Sequence, residues 1–353
     1  MFEKGTCGPY TSLLTKSQSP TSSAGIMLPD GMRNASTKNV RMKRKISSAP
    51  AIDFTFSQSV AGSARFDFAL PRAAATVELF ALFAGGADRF LVDATGERKE
   101  EWSATTGWNL ITPHARGVFL ARHDADDLSH RRRFELQLAH LAARPEAGVC
   151  GARVRLFGHV GEGMRRWGAW HDALLEHEEM ARDVYIDSPL AHGAALMRRE
   201  ALEQVDGWRE RGWPEDLDLW VRMIEAGVRL TKVPRRLYAW RQHAGSATRV
   251  DPRYAPERFR ALKLDALGRG LLAGRARVTL AGVGASVRGW ARALDERGHA
   301  VALVEARRPE HEALSRLEAP LVLVFGARPA RERWRSALSA HGLQEGAQFA
   351  FVA

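Results

Sequence analysis

Acids crowd into two places in this chain. In the first, Val118-Phe119-Leu120-Ala121-Arg122-His123-Asp124-Ala125-Asp126-Asp127 feeds an apolar run into three carboxylates within four positions. Carboxylates this close repel one another. A hard divalent cation relieves the repulsion, because Mg²⁺ and Mn²⁺ take oxygen ligands and are usually held by one or two carboxylates plus substrate phosphates. The same residues also suit a solvated acidic turn, with Asp127 or Ser129 as N-cap of a helix over residues 131–144.

The second cluster is Trp213-Pro214-Glu215-Asp216-Leu217-Asp218-Leu219-Trp220. Pro suits a first helical position, and the positive end of the helix dipole favours acids in the first turn, so the cluster needs no chemistry to explain it. Leu217, Trp220, Val221 and Ile224 recur at helical period and predict a core-facing stripe that ends at Gly227. A helix start held this rigidly would aim Asp216 and Glu215 from a fixed base. A carboxylate so placed can take the proton of an attacking hydroxyl, which is general-base chemistry.

Taken together, five pieces in order resemble the inverting family 2 glycosyltransferases of GT-A fold. They are His123-Asp124-Ala125-Asp126-Asp127; Pro189-Leu190-Ala191-His192-Gly193 with Met197-Arg198-Arg199-Glu200-Ala201-Leu202; Asp206-Gly207-Trp208-Arg209; Glu215-Asp216-Leu217-Asp218-Leu219-Trp220; and Tyr238-Ala239-Trp240-Arg241-Gln242-His243-Ala244-Gly245-Ser246. The resemblance implies a mixed α/β sheet flanked by helices. It implies that Asp124 and Asp126 form the DxD pair, with Asp126 the metal ligand and Asp124 nearer the nucleotide ribose, and Asp127 supporting them. Asp216 would be the base that deprotonates the acceptor, with Glu215 as its substitute. His192 would lie on the donor side, and His243 would touch metal or diphosphate, although a surface histidine fits that position too. The implied cofactor is Mg²⁺ or Mn²⁺, a Lewis acid for the departing diphosphate. The implied partners are a nucleotide-sugar donor and a glycan or lipid-linked acceptor, in cell-envelope polysaccharide synthesis.

The family's opening half is only echoed. Ala69 to Leu79 and Phe90-Leu91-Val92-Asp93 stand where a strand, a nucleotide-binding loop and a second strand are expected, and Asp93 takes the place of the first base-recognising aspartate. Its successor is Ala94, not a second Asp. Residues 1–59 are rich in Ser, Thr, Lys and Asn, while Arg dominates afterwards, so this first segment is expected to be disordered. The transferase unit is expected over residues 60–265, with 60–115 eroded. A GT-A scaffold without catalysis, kept as a binding or interaction module, is the alternative.

From Arg277 the pattern becomes Val278-Thr279-Leu280-Ala281-Gly282-Val283-Gly284-Ala285-Ser286-Val287. A strand, a Gly-x-Gly turn, a helix to about Gly298 and a strand ending at Glu305 resemble a Rossmann-type half-unit, with Gly282, Gly284 and Glu305 in the cofactor-binding positions. Val287 replaces the third glycine. A small α/β unit over residues 275–353 is therefore expected, with packing or partner recognition as its role. NAD is not expected, and a nucleotide-cofactor binder through this unit is a further alternative.

At 353 residues and 45% hydrophobic content there is room for two cores. No apolar run approaches the ~20 residues that span a bilayer. Two cysteines, Cys7 and Cys150, exclude a secreted disulfide framework and a tetrathiolate zinc site, and point to a reducing cytosol. The net charge of +11 suits anionic donors or peripheral contact with anionic membrane at its inner face, yet scattered solvated arginines explain it equally. Arg131-Arg132-Arg133 would neutralise the acids or meet phosphate. Trp167 and Trp170, in a Gly- and Arg-rich stretch read as a loop, suit sugar stacking or packing alike. Basic residues do not interleave with aromatics, so no specific nucleic-acid partner is expected.

Overall fold

In the computed structural model the described residues are the backbone of Asn39–Arg44 (β1), Ile52–Ser57 (β2), Ser63–Leu70 (β3) and Ala73–Leu82 (β4), together with Thr112, residues 117–124 and residues 126–353. Asp93, Cys7 and Ala125 lie outside them. Strands β1 and β2, within the segment expected to be disordered, pair antiparallel. The rest of residues 1–59 lies outside the described residues.

The main sheet has seven strands in the order β3-β4-β5-β8-β7-β9-β6. Here β5 is Phe119–Asp124, β6 Leu128–Ser129, β7 Ala147–Gly158, β8 Leu196–Arg198 and β9 Arg229–Gln242. Pairing is mixed: β4–β5 and β7–β9 run parallel, whereas β3–β4, β5–β8, β7–β8 and β6–β9 run antiparallel. In the region where the family's opening half is only echoed, β3 and β4 pair antiparallel, with Ala69 opposite Ala74 and Leu70 opposite Ala73.

Helices cover this sheet for the reason the sequence suggests. Helix α1, Arg133–Ala142, turns Leu138 and Leu141 onto β7 and β9. Its N-cap position is Arg132, which makes no side-chain cap bond, so the expected capping by Asp127 or Ser129 is not what starts it. Trp167 and Trp170 sit in helix α2, Glu162–Ala173, rather than in a loop. Trp170 is buried with its indole N–H given to Asp183, and Trp167 stacks on His171 at 4.6 Å. Both therefore pack the core under the sheet. Helix α3 is His177–Asp183 and α4 is Arg199–Glu203.

Helix α5, Glu215–Glu225, realises the predicted stripe: Leu217, Trp220 and Val221 are buried, and the helix ends at Gly227, whose φ of +78° is cheap only for glycine. Trp220 is fully enclosed and its Nε1–H donates to the Leu190 carbonyl at 3.2 Å. Helix α6, Pro256–Arg269, leads to a second sheet of four parallel strands, ordered β11-β10-β12-β13. These are β10 Arg277–Gly282, β11 Ala300–Glu305, β12 Leu321–Val324 and β13 Phe349–Phe351, with helices α7 Gly284–Asp295 and α8 Arg328–Ala340 between them. Val287, at the third glycine position, is buried in this unit's core.

Trp220→Ala should cost about 3–5 kcal/mol, the usual range for emptying a buried aromatic site. Urea denaturation monitored by circular dichroism checks it; a loss under 1 kcal/mol would contradict the packing role of this face.

Candidate active site

The chain's path brings the two acidic clusters into one region. Strand β5 delivers Asp124 at its end, and the following loop returns as β6, whose Leu128 and Ser129 pair with Ala239 and Tyr238 of β9. That pairing sets Asp126 and Asp127 beside residues 238–243. Asp127 is buried, and its carboxylate accepts from the Tyr238 hydroxyl at 2.5 Å and from the Arg241 amide at 2.6 Å. Burial pushes its carboxyl up to about 7 despite these bonds. Its work is to staple the acidic loop to β9.

Asp126 points outward instead. Its Oδ2 lies 3.0 Å from His243 Nε2, although the two are 117 residues apart in sequence. Both side chains keep solvent contact, 38% and 46% exposed, so the pair is open to an incoming ion or phosphate. Its donor set, one carboxylate and one imidazole, suits a divalent cation whose remaining positions are filled by phosphate and water. No group of three or more His, Cys, Asp or Glu side chains suited to a metal occurs among the described residues. Asp124, also expected at the metal, instead directs Oδ1 to Arg122. The physical reason is burial: Arg122 is 7% exposed, and a guanidinium that deep must keep an anionic partner. Burial opposes its charge, but Asp124 more than compensates and holds it protonated.

Arg122 was not singled out in the sequence. The available signal is a cation within an otherwise buried strand, two residues before an acid, hence on the same face. Tyr238 was also missed as a support: besides bonding Asp127 it accepts from the Asp124 amide at 3.2 Å. Gly193 makes room for this arrangement. A Cβ there would lie 2.1 Å from the Tyr238 hydroxyl oxygen and 2.8 Å from Asp124 Oδ2. Of the arginine triplet, Arg133 is buried and donates to the Arg122 and Ala195 carbonyls at 2.9 and 3.2 Å, so it braces the β5 backbone and does not face phosphate.

On the other side, Glu215 and Asp216 occupy the start of α5. Glu215 lies within reach of Arg253 Nη1 at 3.4 Å and of the Tyr254 hydroxyl at 3.3 Å. Burial, with Asp216 adjacent, raises its carboxyl to about 7. Asp216 is raised too, chiefly by burial, while the Ser188 hydroxyl, 3.0 Å from Oδ2, favours its ionised form. Its Oδ1 is shielded from water and has no hydrogen-bond partner among the described residues. Asp218 is committed to Arg222 and to the Trp213 indole, as a helix-start acid needs. Arg253 and Tyr254 carry no motif that the sequence could have revealed.

His192, expected on the donor side, lies between Trp208 and Glu215. Its Nε2 accepts from the Trp208 indole N–H at 2.9 Å, so the neutral ring carries its proton on Nδ1, 4.0 Å from Glu215 Oε1. Burial keeps it far below the usual imidazole range.

In the smaller sheet, Gly282 and Glu305 are register partners at the strand ends. Gly282 lines neither of the two clefts at this end of the sheet. Glu305 lines one cleft of about 430 Å³ with Arg307 and Arg316, whereas a second, of about 360 Å³, is bounded by Val283, Ser286, Arg307 and Arg333. A Cβ on Gly282 would meet the Val324 carbonyl oxygen at 2.8 Å, so that glycine serves strand-end packing.

A mixed sheet flanked by helices thus carries one acidic cluster after strand β5 and a second at the start of helix α5. Residues 97–206 match the family model Glycosyl transferase family 2, and the chain carries a family 2 glycosyltransferase segment there. It is 32% identical over 144 residues to EpsE of Bacillus subtilis (strain 168), named as a glycosyltransferase, covering 40% of this chain and 49% of that one. It is 25% identical over 116 residues to the amylovoran biosynthesis glycosyltransferase AmsE of Erwinia amylovora, covering 33% and 41%. The chain thus spans less than half the length of each of these curated relatives. Among solved structures it is similar to S. aureus TarS 1-349 in complex with UDP-GlcNAc, with TM-score 0.37, 16% identity and coverage of 46% of each chain. It is also similar to the mannosyltransferase PcManGT from Pyrobaculum calidifontis in complex with GDP-Man and Mn2+, with TM-score 0.33, 14% identity and coverage of 68% and 64%.

The raised Glu215 carboxyl has a definite pH signature. Its folded pKa lies above the ordinary 4.5, so the folded state holds the extra proton between about 4.5 and 7 and stability falls as pH rises through that window. Glu215→Gln should remove this dependence and gain about 1–3 kcal/mol relative to wild type on going from pH 5 to pH 7.5. Parallel denaturant curves at the two pH values check it; an unchanged difference would place Glu215 in water.

Proposed function

We propose that this chain is a divalent-metal-dependent, inverting glycosyltransferase that moves a sugar from a nucleotide-diphosphate donor to a glycan or lipid-linked acceptor in polysaccharide synthesis. The observation that carries the reading is the meeting of Asp126 and His243, from the first and last of the five resembling pieces, at an open edge of the sheet. The family segment and the name of AmsE support the reaction class and the polysaccharide context. Residues 60–265 form the transferase unit on this reading, with residues 275–353 a separate Rossmann-like unit. Asp93 is assigned to the donor base. No helix among the described residues is long and apolar enough to cross a membrane, and the proposed place of work is the cytoplasmic face of the membrane.

Asp126 and His243 would hold Mg²⁺ or Mn²⁺, which supplies Lewis-acid neutralisation of the diphosphate leaving group. Asp124, neutralised by Arg122, is left to meet the donor's ribose without adding repulsion toward phosphate. Asp216 is the base: its unpartnered Oδ1 accepts the acceptor's hydroxyl proton, and Ser188 on Oδ2 favours the ionised form against the burial that raises its carboxyl. Direct attack by that hydroxyl inverts the anomeric carbon with no covalent enzyme intermediate.

The commitment of Asp124 to Arg122 gives some support to the non-catalytic scaffold. Thermal unfolding with UDP, GDP, dTDP or CDP, with and without Mn²⁺, separates the two. One nucleotide should stabilise the wild type only with metal, by about 2.7 kcal/mol at a hundredfold its Kd, and Asp126→Ala should abolish the effect. Indifference of the folded wild type to all four would reject the transferase reading in favour of the scaffold.

A further inference from the structure

We propose that the C-terminal unit is a positioning clamp for Asp216, acting through Lys263 and Arg335 on residues 183–188. In calling Asp216 the base it rests on the reading above, whereas the clamp itself stands on geometry alone. Lys263, buried on α6, donates from Nζ to the Ile186 carbonyl at 2.9 Å and to the Val352 carbonyl at 3.0 Å. A single ammonium thus joins the backbone just before Ser188 to the backbone just after β13. Buried ammonium groups are costly unless fully bonded, so this link is strongly directional.

Arg335, on α8, makes the second attachment. Its Nη2 donates to Asp183 Oδ1 at 3.0 Å, and the other oxygen of Asp183 accepts the Trp170 indole N–H at 3.1 Å. Glu345 fixes the guanidinium from behind through bonds of 2.6 and 3.0 Å. At the first of these attachments the Ile186 side chain packs against the apolar clusters of both units. The segment is therefore held at each end by side chains that belong to, or anchor, the smaller sheet.

From there to the base is two hydrogen bonds. The Ser188 amide donates to Asp187 Oδ1 at 2.7 Å, and its hydroxyl lies 3.0 Å from Asp216 Oδ2 and 3.2 Å from the Leu190 carbonyl. A hydroxyl has one proton to give, so the backbone's placement decides which acceptor receives it. Lys232, bonded to the Pro189 carbonyl at 3.0 Å, and Trp220, bonded to that of Leu190, hold the far side. Releasing the clamp lets Ser188 turn away and deprives Asp216 of its side-chain donor.

The test uses the full chain and amide hydrogen exchange by mass spectrometry on wild type, Lys263→Met, Lys263→Arg and the more exposed Arg335→Gln. The expected result is exchange faster by about tenfold or more in 186–190 and 214–218 for Lys263→Met and Arg335→Gln, with 119–124 unchanged and partial recovery in Lys263→Arg. Acceleration confined to 183–187, or spread evenly over the chain, would overturn the clamp and leave ordinary packing. In transfer assays the two loosened variants should lose about tenfold or more in kcat with donor KM unchanged, as misplacement of a base requires. A wild type without transfer would refute the proposed reaction, while the exchange pattern would still decide the clamp.

Discussion

The pairing of buried Arg122 with part-exposed Asp124, at the end of β5, is the constraint on which the rest of the site depends. Acids from two distant stretches meet there, and a medium poor in water would not hold so many negative charges without a cation of comparable burial. Arg122 acts at a distance as well: its charge bears on Glu215 and Asp216 at the start of α5 and on His192 beside them. It is thus an electrostatic centre shared by the two acidic clusters. Placing it there requires Arg133 underneath, whose guanidinium takes the Arg122 carbonyl.

Around that centre, residues with similar chemistry do opposite work according to depth. Asp127 and Asp126 are neighbours, yet the first is buried and staples β9, whereas the second faces outward and meets His243. Asp216 and Asp218 divide by partner instead of depth. The second is consumed by Arg222 and Trp213, and the first keeps one oxygen without a partner. Burial and hydrogen bonding, not residue type, separate the structural acids from those available for chemistry.

The smaller sheet is joined to the larger one by specific charged bonds as well as apolar contact. Lys263 and Arg335 reach the same short segment that precedes Ser188. An appended unit held in this manner is mechanically continuous with the start of α5, and its own strand ends need not bind a cofactor to matter.

The sequence by itself determined the elements whose burial follows a local period. The stripe of α5 and its end at Gly227, the alternation of strands and helices after Arg277, and the run of β5 into Asp124 were all legible, because each depends on residues close in the chain. The resemblance of its motifs likewise marked Asp126, His243 and Asp216 as candidates. What only tertiary structure decided is which charges face each other. Arg122 taking Asp124, Tyr238 taking Asp127, His192 turning toward Glu215, and the two tryptophans of α2 entering the core all depend on strands distant in sequence becoming neighbours. A side chain's charge is written in the chain, but its partner and its depth, which fix its pKa and its use, exist only after the sheet has closed over it.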